Sequence, residues 1–241
     1  MQMNTKNHQI IIDDITVEVV KKDIKNLNLS FSHPTGRVHV SAPLRINDNA
    51  IRLFIVSKIH WIKKHQSKFD NQERQSEREF ISDESHYYFG KRYLLNVIYH
   101  DSKPKVEIRN KTHIDLYVRL GSNQLQRQKV MTEWYRYQLK EQVPNLIDKW
   151  KYIVGVEIND WSVKKMKTRW GSCNRKNKRI WLNLELSKKP IHCLEFIIVH
   201  ELTHLLERHH NEHFKSLMDG FMPNWRLYKE ELNRFILPCN D

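Results

Sequence analysis

The 241-residue chain carries 39% hydrophobic and 29% charged residues. At about 150 residues per domain that length predicts one or two domains with a real core, and it excludes collagen-like, low-complexity and wholly disordered readings. Forty-one basic residues against 28 acidic ones give a net charge of +13, which favours contact with a polyanion or an acidic partner. No apolar run approaches the ~20 residues of a membrane span, so no membrane association is expected. The N-terminus MQMNTKNHQIII lacks the charged-then-apolar plan of a signal peptide, and a cytoplasmic location is expected. Cys173, Cys193 and Cys239 form no C-x-x-C pair, so plain reduced thiols are expected.

In chain order, Ile10–Ile12 and Ile15–Val20 are β-branched runs separated by Asp13-Asp14. Leu27–Phe31 and Arg37–Val40 follow, with His33-Pro34-Thr35-Gly36 as the turn between them. Asn47-Asp48-Asn49 is a helix cap. Ile51, Leu53, Phe54, Ile55, Ile59 and Ile62 then recur at helical spacing, predicting one helix to about Phe69. Gln66–Arg78 is polar and predicts a loose connector. A second strand group spans about Ser85–Val118, with a tight turn at Gly90. Val130, Met131, Trp134, Tyr135, Leu139, Val143, Ile147 and Trp150 share one apolar helical face, and Pro144 predicts a break in it. Val163–Trp170 and Arg179–Leu184 predict two strands around a polar turn, Gly171–Lys178. Ile191 to about Arg208 predicts a buried helix, apolar around most of its circumference. A domain boundary is placed near residue 120.

On that last helix stands His200-Glu201-Leu202-Thr203-His204. Two histidines four residues apart lie about 40° apart around a helix and about 6 Å along it, so their rings can converge on one ion. Glu201 is next to His200, where it can reach a water rather than the metal. This is the H-E-x-x-H arrangement of zinc peptidases. Two unpaired imidazoles and a carboxylate are costly to bury between Phe196–Val199 and Leu205-Leu206, and a metal relieves that cost. A catalytic site needs a third protein ligand and one open position. The candidates are His209, His210, Glu212, His213 and Asp219. A continuous helix would carry residue 210 about 15 Å from His200, so the helix must end between His204 and His210 and the chain must fold back. Asn211 is the expected cap of a following helix that buries Phe214, Leu217 and Met218.

The chain resembles the YgjP-like metallopeptidases, metal-dependent hydrolases of the zincin superfamily, over nearly its whole length. The resemblance is carried by Val38–Leu44, Ser57–Ile62, Tyr88–Tyr93, Met166–Cys173, Leu182-Asn183, Val199–His204, His210 with Phe214, and Met222–Trp225. It implies an α+β fold: a β-rich N-terminal region with one helix over 1–120, then a zincin-like metallopeptidase domain over 121–241 whose HExxH helix packs beside a small antiparallel sheet. It implies one zinc ion per chain on His200, His204 and His210, with Glu201 as general base in peptide hydrolysis. Histidine at 209 and asparagine at 211 depart from the family pattern beside the third ligand position.

Other residues carry weaker expectations. Arg169 is a candidate oxyanion donor, or else a structural partner of a carboxylate or carbonyl. Glu195 is either a partner of a ligand histidine or a surface residue. Trp170 and Trp225 are core or cleft wall. The partners expected are a peptide or protein substrate and, through the segment 161–180, nucleic acid: that segment has eight basic residues, no acidic one, and Trp161 and Trp170 among them. The competing readings are a basic nucleic-acid-binding protein with a structural zinc, a protease acting on nucleic-acid-bound proteins, and a hydrolase of a non-peptide bond. A structural site would recruit a fourth protein ligand such as His209 or His213.

Overall fold

The computed structural model describes residues 7–32, 36–70 and 78–234. It is a mixed α and β structure whose described backbone gathers into two compact units, one over residues 7–70 and one over residues 78–234. The turn read at residues 33–35, and Cys239, lie outside the described residues.

In the first unit β1 (Asn7–Ile12), β2 (Ile15–Lys22), β3 (Asn28–Ser32) and β4 (Arg37–Pro43) form a sheet in the order β1-β2-β4-β3. The two central strands run parallel and place Val17 opposite Val38 and Val19 opposite Val40. Alternation turns these side chains to one face, where they are buried with Ile51, Ile55 and Ile62. Those isoleucines come from two helices, α1 (Asp48–Ser57) and α2 (Ile59–Asp70), where one was expected. Asn47 caps α1 as read, its side chain accepting from Ala50 N at 2.9 Å. The break follows from Ser57, whose hydroxyl donates to Phe54 O at 2.7 Å, and from Lys58, whose N–H turns to Ile55 O in a tighter turn. α2 also takes in Gln66–Asp70, the start of the stretch expected to be a connector; residues 71–77 lie outside the described residues.

The second unit begins with β5 (Ser85–Tyr88), β6 (Lys91–Tyr99), β7 (Lys105–Arg109) and β8 (His113–Val118), ordered β5-β6-β8-β7. Tyr88 pairs with Lys91, so Phe89-Gly90 is a two-residue loop with positive φ at both positions, 41° and 79°. This is the mirror-image turn that suits the twist of a hairpin. Its tip is docked: Phe89 N donates to Ser187 O and Gly90 N to Lys188 O.

Next comes α3 (Gln124–Val154), opened by a reciprocal cap between Asn123 and Gln126. It buries Met131, Tyr135, Leu139, Val143, Ile147, Trp150 and Val154 along one stripe. Pro144 does not break it. The proline and Lys140, whose carbonyl loses its donor, both lie on the exposed side, where water can satisfy that carbonyl. The second sheet, α3 and the C-terminal helices share one core, from Leu95, Ile114 and Leu116 through Leu139 to Ile198 and Leu202. That shared core places residues 78–234 in one compact unit.

A three-stranded sheet follows, β9 (Asp160–Lys164), β10 (Gly171–Asn174) and β11 (Arg179–Asn183), ordered β10-β11-β9. It is mixed, not antiparallel: β10 opposes β11, whereas β9 runs parallel to it. β10 occupies residues expected to be a turn, and residues 165–170, expected to be strand, form the connection. After a short 3-10 helix (Leu184–Lys188) come α4 (Ile191–Leu206), α5 (Glu212–Phe221) and α6 (Trp225–Asn233). α4 packs against α3, α5, α6, β10 and β11. Among the described residues no helix is long and apolar enough to cross a membrane.

A Cβ on Gly90 would stand 2.7 Å from Pro190 Cγ, at a backbone conformation that side chains resist. Gly90→Ala is expected to cost about 2 kcal/mol of stability in urea unfolding. A midpoint equal to that of the parent would show that the hairpin tip is loosely seated.

Candidate metal centre

α4 is apolar on nearly every side because it is surrounded: Cys193, Leu194, Phe196–Val199 and Leu202 are all buried. It ends at Leu206, within the interval the sequence requires. Glu207 is extended, and its N–H donates to Thr203 O. Arg175, from the β10–β11 turn, donates to the terminal carbonyls of Leu205 at 3.2 Å and Leu206 at 3.4 Å. The chain then turns back, and Asn211 caps α5 as read, accepting from Phe214 N at 2.9 Å.

This fold-back brings His210 to His200 and His204. One ligand atom from each of the three rings lies within 4.8 Å of the others. The Nε2 atoms of His200 and His210 meet at 3.0 Å. Two nitrogens on one tetrahedral ion, with bonds of about 2.0–2.1 Å, stand roughly 3.3 Å apart, so the spacing fits a shared cation. His204 Nδ1–H donates to Glu207 O at 3.1 Å, which leaves its Nε2 lone pair for a ligand. His200 Nδ1 is buried and makes no hydrogen bond among the described residues. Phe214 lies under all three imidazoles, with ring centroids 5.0, 4.8 and 4.9 Å away. Burial, reinforced by His204 and His210, holds the His200 imidazole down at about 3. Burial also lowers His204 and His210, so all three rings favour the neutral form that binds metal. The residues present therefore fit a soft-to-borderline divalent cation such as zinc.

Glu201 is 4% exposed, and its carboxyl lies against β10. A Cβ on Gly171 would be 2.6 Å from Glu201 Oε1 and 2.8 Å from Ile197 Cγ2. Burial pushes the Glu201 carboxyl up to about 8, against the downward pull of the Arg169 guanidinium. Cys173, also on β10, is pushed up to about 11 by burial and by Glu201, and it is a free thiol.

The remaining expected residues fall elsewhere. His209 and His213 are exposed and stand outside the histidine cluster; the His209 backbone N–H donates to Glu207 Oε1 at 2.9 Å. Glu212 is exposed and pairs with Lys215; Asp219 pairs with Arg226 and accepts from Trp225 Nε1 at 2.7 Å. Glu195 is no partner of a site histidine. Its Oε1 accepts from Trp150 Nε1 and Lys149 Nζ, both at 2.7 Å, tying α4 to α3. Trp225 is buried and stacks parallel to Phe196, with centroids 6.4 Å apart, so it is core. In the basic segment Arg175 caps α4, Arg179 pairs with Asp160 at 2.9 Å and Lys164 lies over the Trp181 ring. A second group of donor atoms, His192, Cys193 and Glu231, also clusters. Burial pushes the Cys193 thiol up to about 12, and His192 Nε2 lies 2.6 Å from Glu231 Oε2, so the group serves as a polar tie between α4 and α6.

Residue spacing alone misses Gly171 and Asn183. Asn183 is fully buried, and its Nδ2 donates to Met166 O at 2.8 Å and Arg169 O at 2.7 Å. It thereby holds the connection that delivers β10 to Glu201. The available signal was a glycine in a segment too polar to read as strand, the mark of a close backbone approach.

The family of YgjP-like proteins, described as a metallopeptidase domain, matches residues 25–235. The chain belongs to this family. No curated protein matches. Among solved structures, the metallopeptidase zymogen abylysin of Pyrococcus abyssi is similar at 19% identity with a TM-score of 0.36, covering 38% of this chain and 91% of its own.

Gly171→Ala drives a methyl group into Glu201, and a destabilisation of about 1–3 kcal/mol is expected from calorimetry. An unchanged melting temperature would mean that β10 and α4 are not in fixed contact.

Proposed function

We propose that the chain is a zinc-dependent metallopeptidase in which His200, His204 and His210 hold one ion and Glu201 is the general base. The observation that carries this reading is the meeting of three imidazoles at the end of the helix that also buries Glu201, with His209 and His213 standing outside the group. Three protein ligands leave the fourth position of a tetrahedral ion open, the mark of a catalytic rather than a structural site. Bound zinc supplies a water of lowered pKa and a Lewis acid for the scissile carbonyl. Glu201 takes the proton of the attacking water and hands it to the leaving nitrogen. Gly171 keeps that carboxyl free of a side chain between strand and helix, while the Glu207 carbonyl orients His204. The extended Glu207 and the bend after it let His210 return, a task that a longer α4 would forbid.

Glu201→Gln is expected to retain about one zinc per chain and to lose at least about a hundredfold in hydrolysis of an unfolded protein substrate. Metal analysis and a casein-type assay on the same preparation check this; equal activity in both proteins removes the assigned base. His210→Ala should lower zinc affinity far more than His209→Ala, and the reverse order in a zinc titration would reassign the third ligand.

A further inference from the structure

α4 and α6 are joined at the start of α4, about two helical turns before His200. His192 and Cys193 stand in the first turn of α4, and Glu231 stands in the last turn of α6. His192 Nε2 lies 2.6 Å from Glu231 Oε2. One donor atom from each of His192, Cys193 and Glu231 lies within 4.8 Å of the others. Tyr228, one turn earlier on α6, lies against the His192 ring with centroids 4.8 Å apart. Cys193 is fully buried, whereas His192 and Glu231 are partly exposed, so solvent reaches the group from the side of the imidazole and the carboxylate.

A hydrogen-bonded tie between two helices needs one donor and one acceptor. Here a thiol, an imidazole and a carboxylate converge from two elements, a set that suits zinc. Ligand atoms on one tetrahedral ion stand roughly 3.3–3.7 Å apart, so the three donors share an ion after shifts of about 1 Å. The charges also balance. A coordinating thiol is deprotonated, and with the Glu231 carboxylate it brings two negative charges to a divalent ion. The His200, His204 and His210 trio brings none. Burial is what disfavours a bare Cys193 thiolate, and a bound cation offsets that penalty.

We propose that His192, Cys193 and Glu231 form a second metal site, at which a zinc-class divalent cation clamps α6 onto the start of α4. α6 carries Trp225, which stacks on Phe196, and the Phe196 ring meets His200 edge-on at 5.8 Å. The clamp therefore braces the packing behind the first histidine of the other centre. The two sites share no residue, and only this one contains sulfur.

That difference supplies the test. Cobalt(II) is the probe, because a cobalt–thiolate bond gives an intense near-ultraviolet charge-transfer band that cobalt on imidazoles lacks. The reduced, metal-stripped full chain is titrated at neutral pH. The parent should take up about two ions per chain, one of them with the band. Glu231→Gln and His192→Ala should each weaken that ion at least about tenfold, since a direct ligand is worth no less than an outer one. Cys193→Ser should abolish the band, while Cys173→Ser and His200→Ala should keep it. The partly exposed His192 and Glu231 keep the test readable should Cys193→Ser fail to fold. In the His200→Ala chain cobalt should raise the melting temperature, and adding Glu231→Gln should remove that rise. A parent that takes up a single ion without the band overturns the proposal, because the group is then a hydrogen-bonded tie alone. A band that survives Cys193→Ser overturns it too, as does one that keeps parent affinity in both Glu231→Gln and His192→Ala, or one lost with Cys173→Ser. A band-bearing ion that responds to these variants as expected, in a chain that cleaves no unfolded protein, upholds this site and removes the peptidase reading.

Discussion

The turn between α4 and α5 is the constraint on which the centre depends. His200 and His204 share one helix, but no helical geometry delivers a third imidazole from six residues further on. The chain stops α4 with an extended Glu207, satisfies its last carbonyls with Arg175, and restarts the helix at Asn211. Phe214, buried one turn into α5, then floors all three rings. The same few residues thus satisfy the end of one helix and bring three imidazoles together.

Much of this was legible before any coordinates. The spacing of His200 and His204, the need for an ended helix and the cap at Asn211 follow from helix dimensions and cap chemistry, and the structure bears each of them out. The strands of the first unit were legible because their β-branched runs alternate cleanly around short polar turns. β10 was not, because Gly171-Ser172-Cys173-Asn174 has neither hydrophobicity nor alternation; it is a strand because β11 and α4 flank it. Pro144 misled because its effect depends on which side of the helix faces water. Composition likewise does not record that the second sheet and the later helices share one core.

Electrostatics and packing act together at Glu201. Burial raises the proton affinity of the carboxyl, and the absence of a Cβ on Gly171 leaves room for it against β10. The glycine in turn is held in place by the connection that Asn183 binds at Met166 and Arg169. A carboxyl on a helix, a bare backbone on a strand and an amide at the end of the neighbouring strand thus form one unit, of which sequence spacing reveals only the first member.

The docked hairpin bears on α4 in a further way. Pro190, the residue that precedes α4, is pressed by Gly90, and the strand loop is tied to Ser187 and Lys188 just upstream. At its far end the same helix is gripped by Arg175. A rod clamped at both ends cannot slide along its axis, so any adjustment of the histidine pair must come through rotation of side chains or displacement of the partner loop, with the helix itself acting as the fixed anvil.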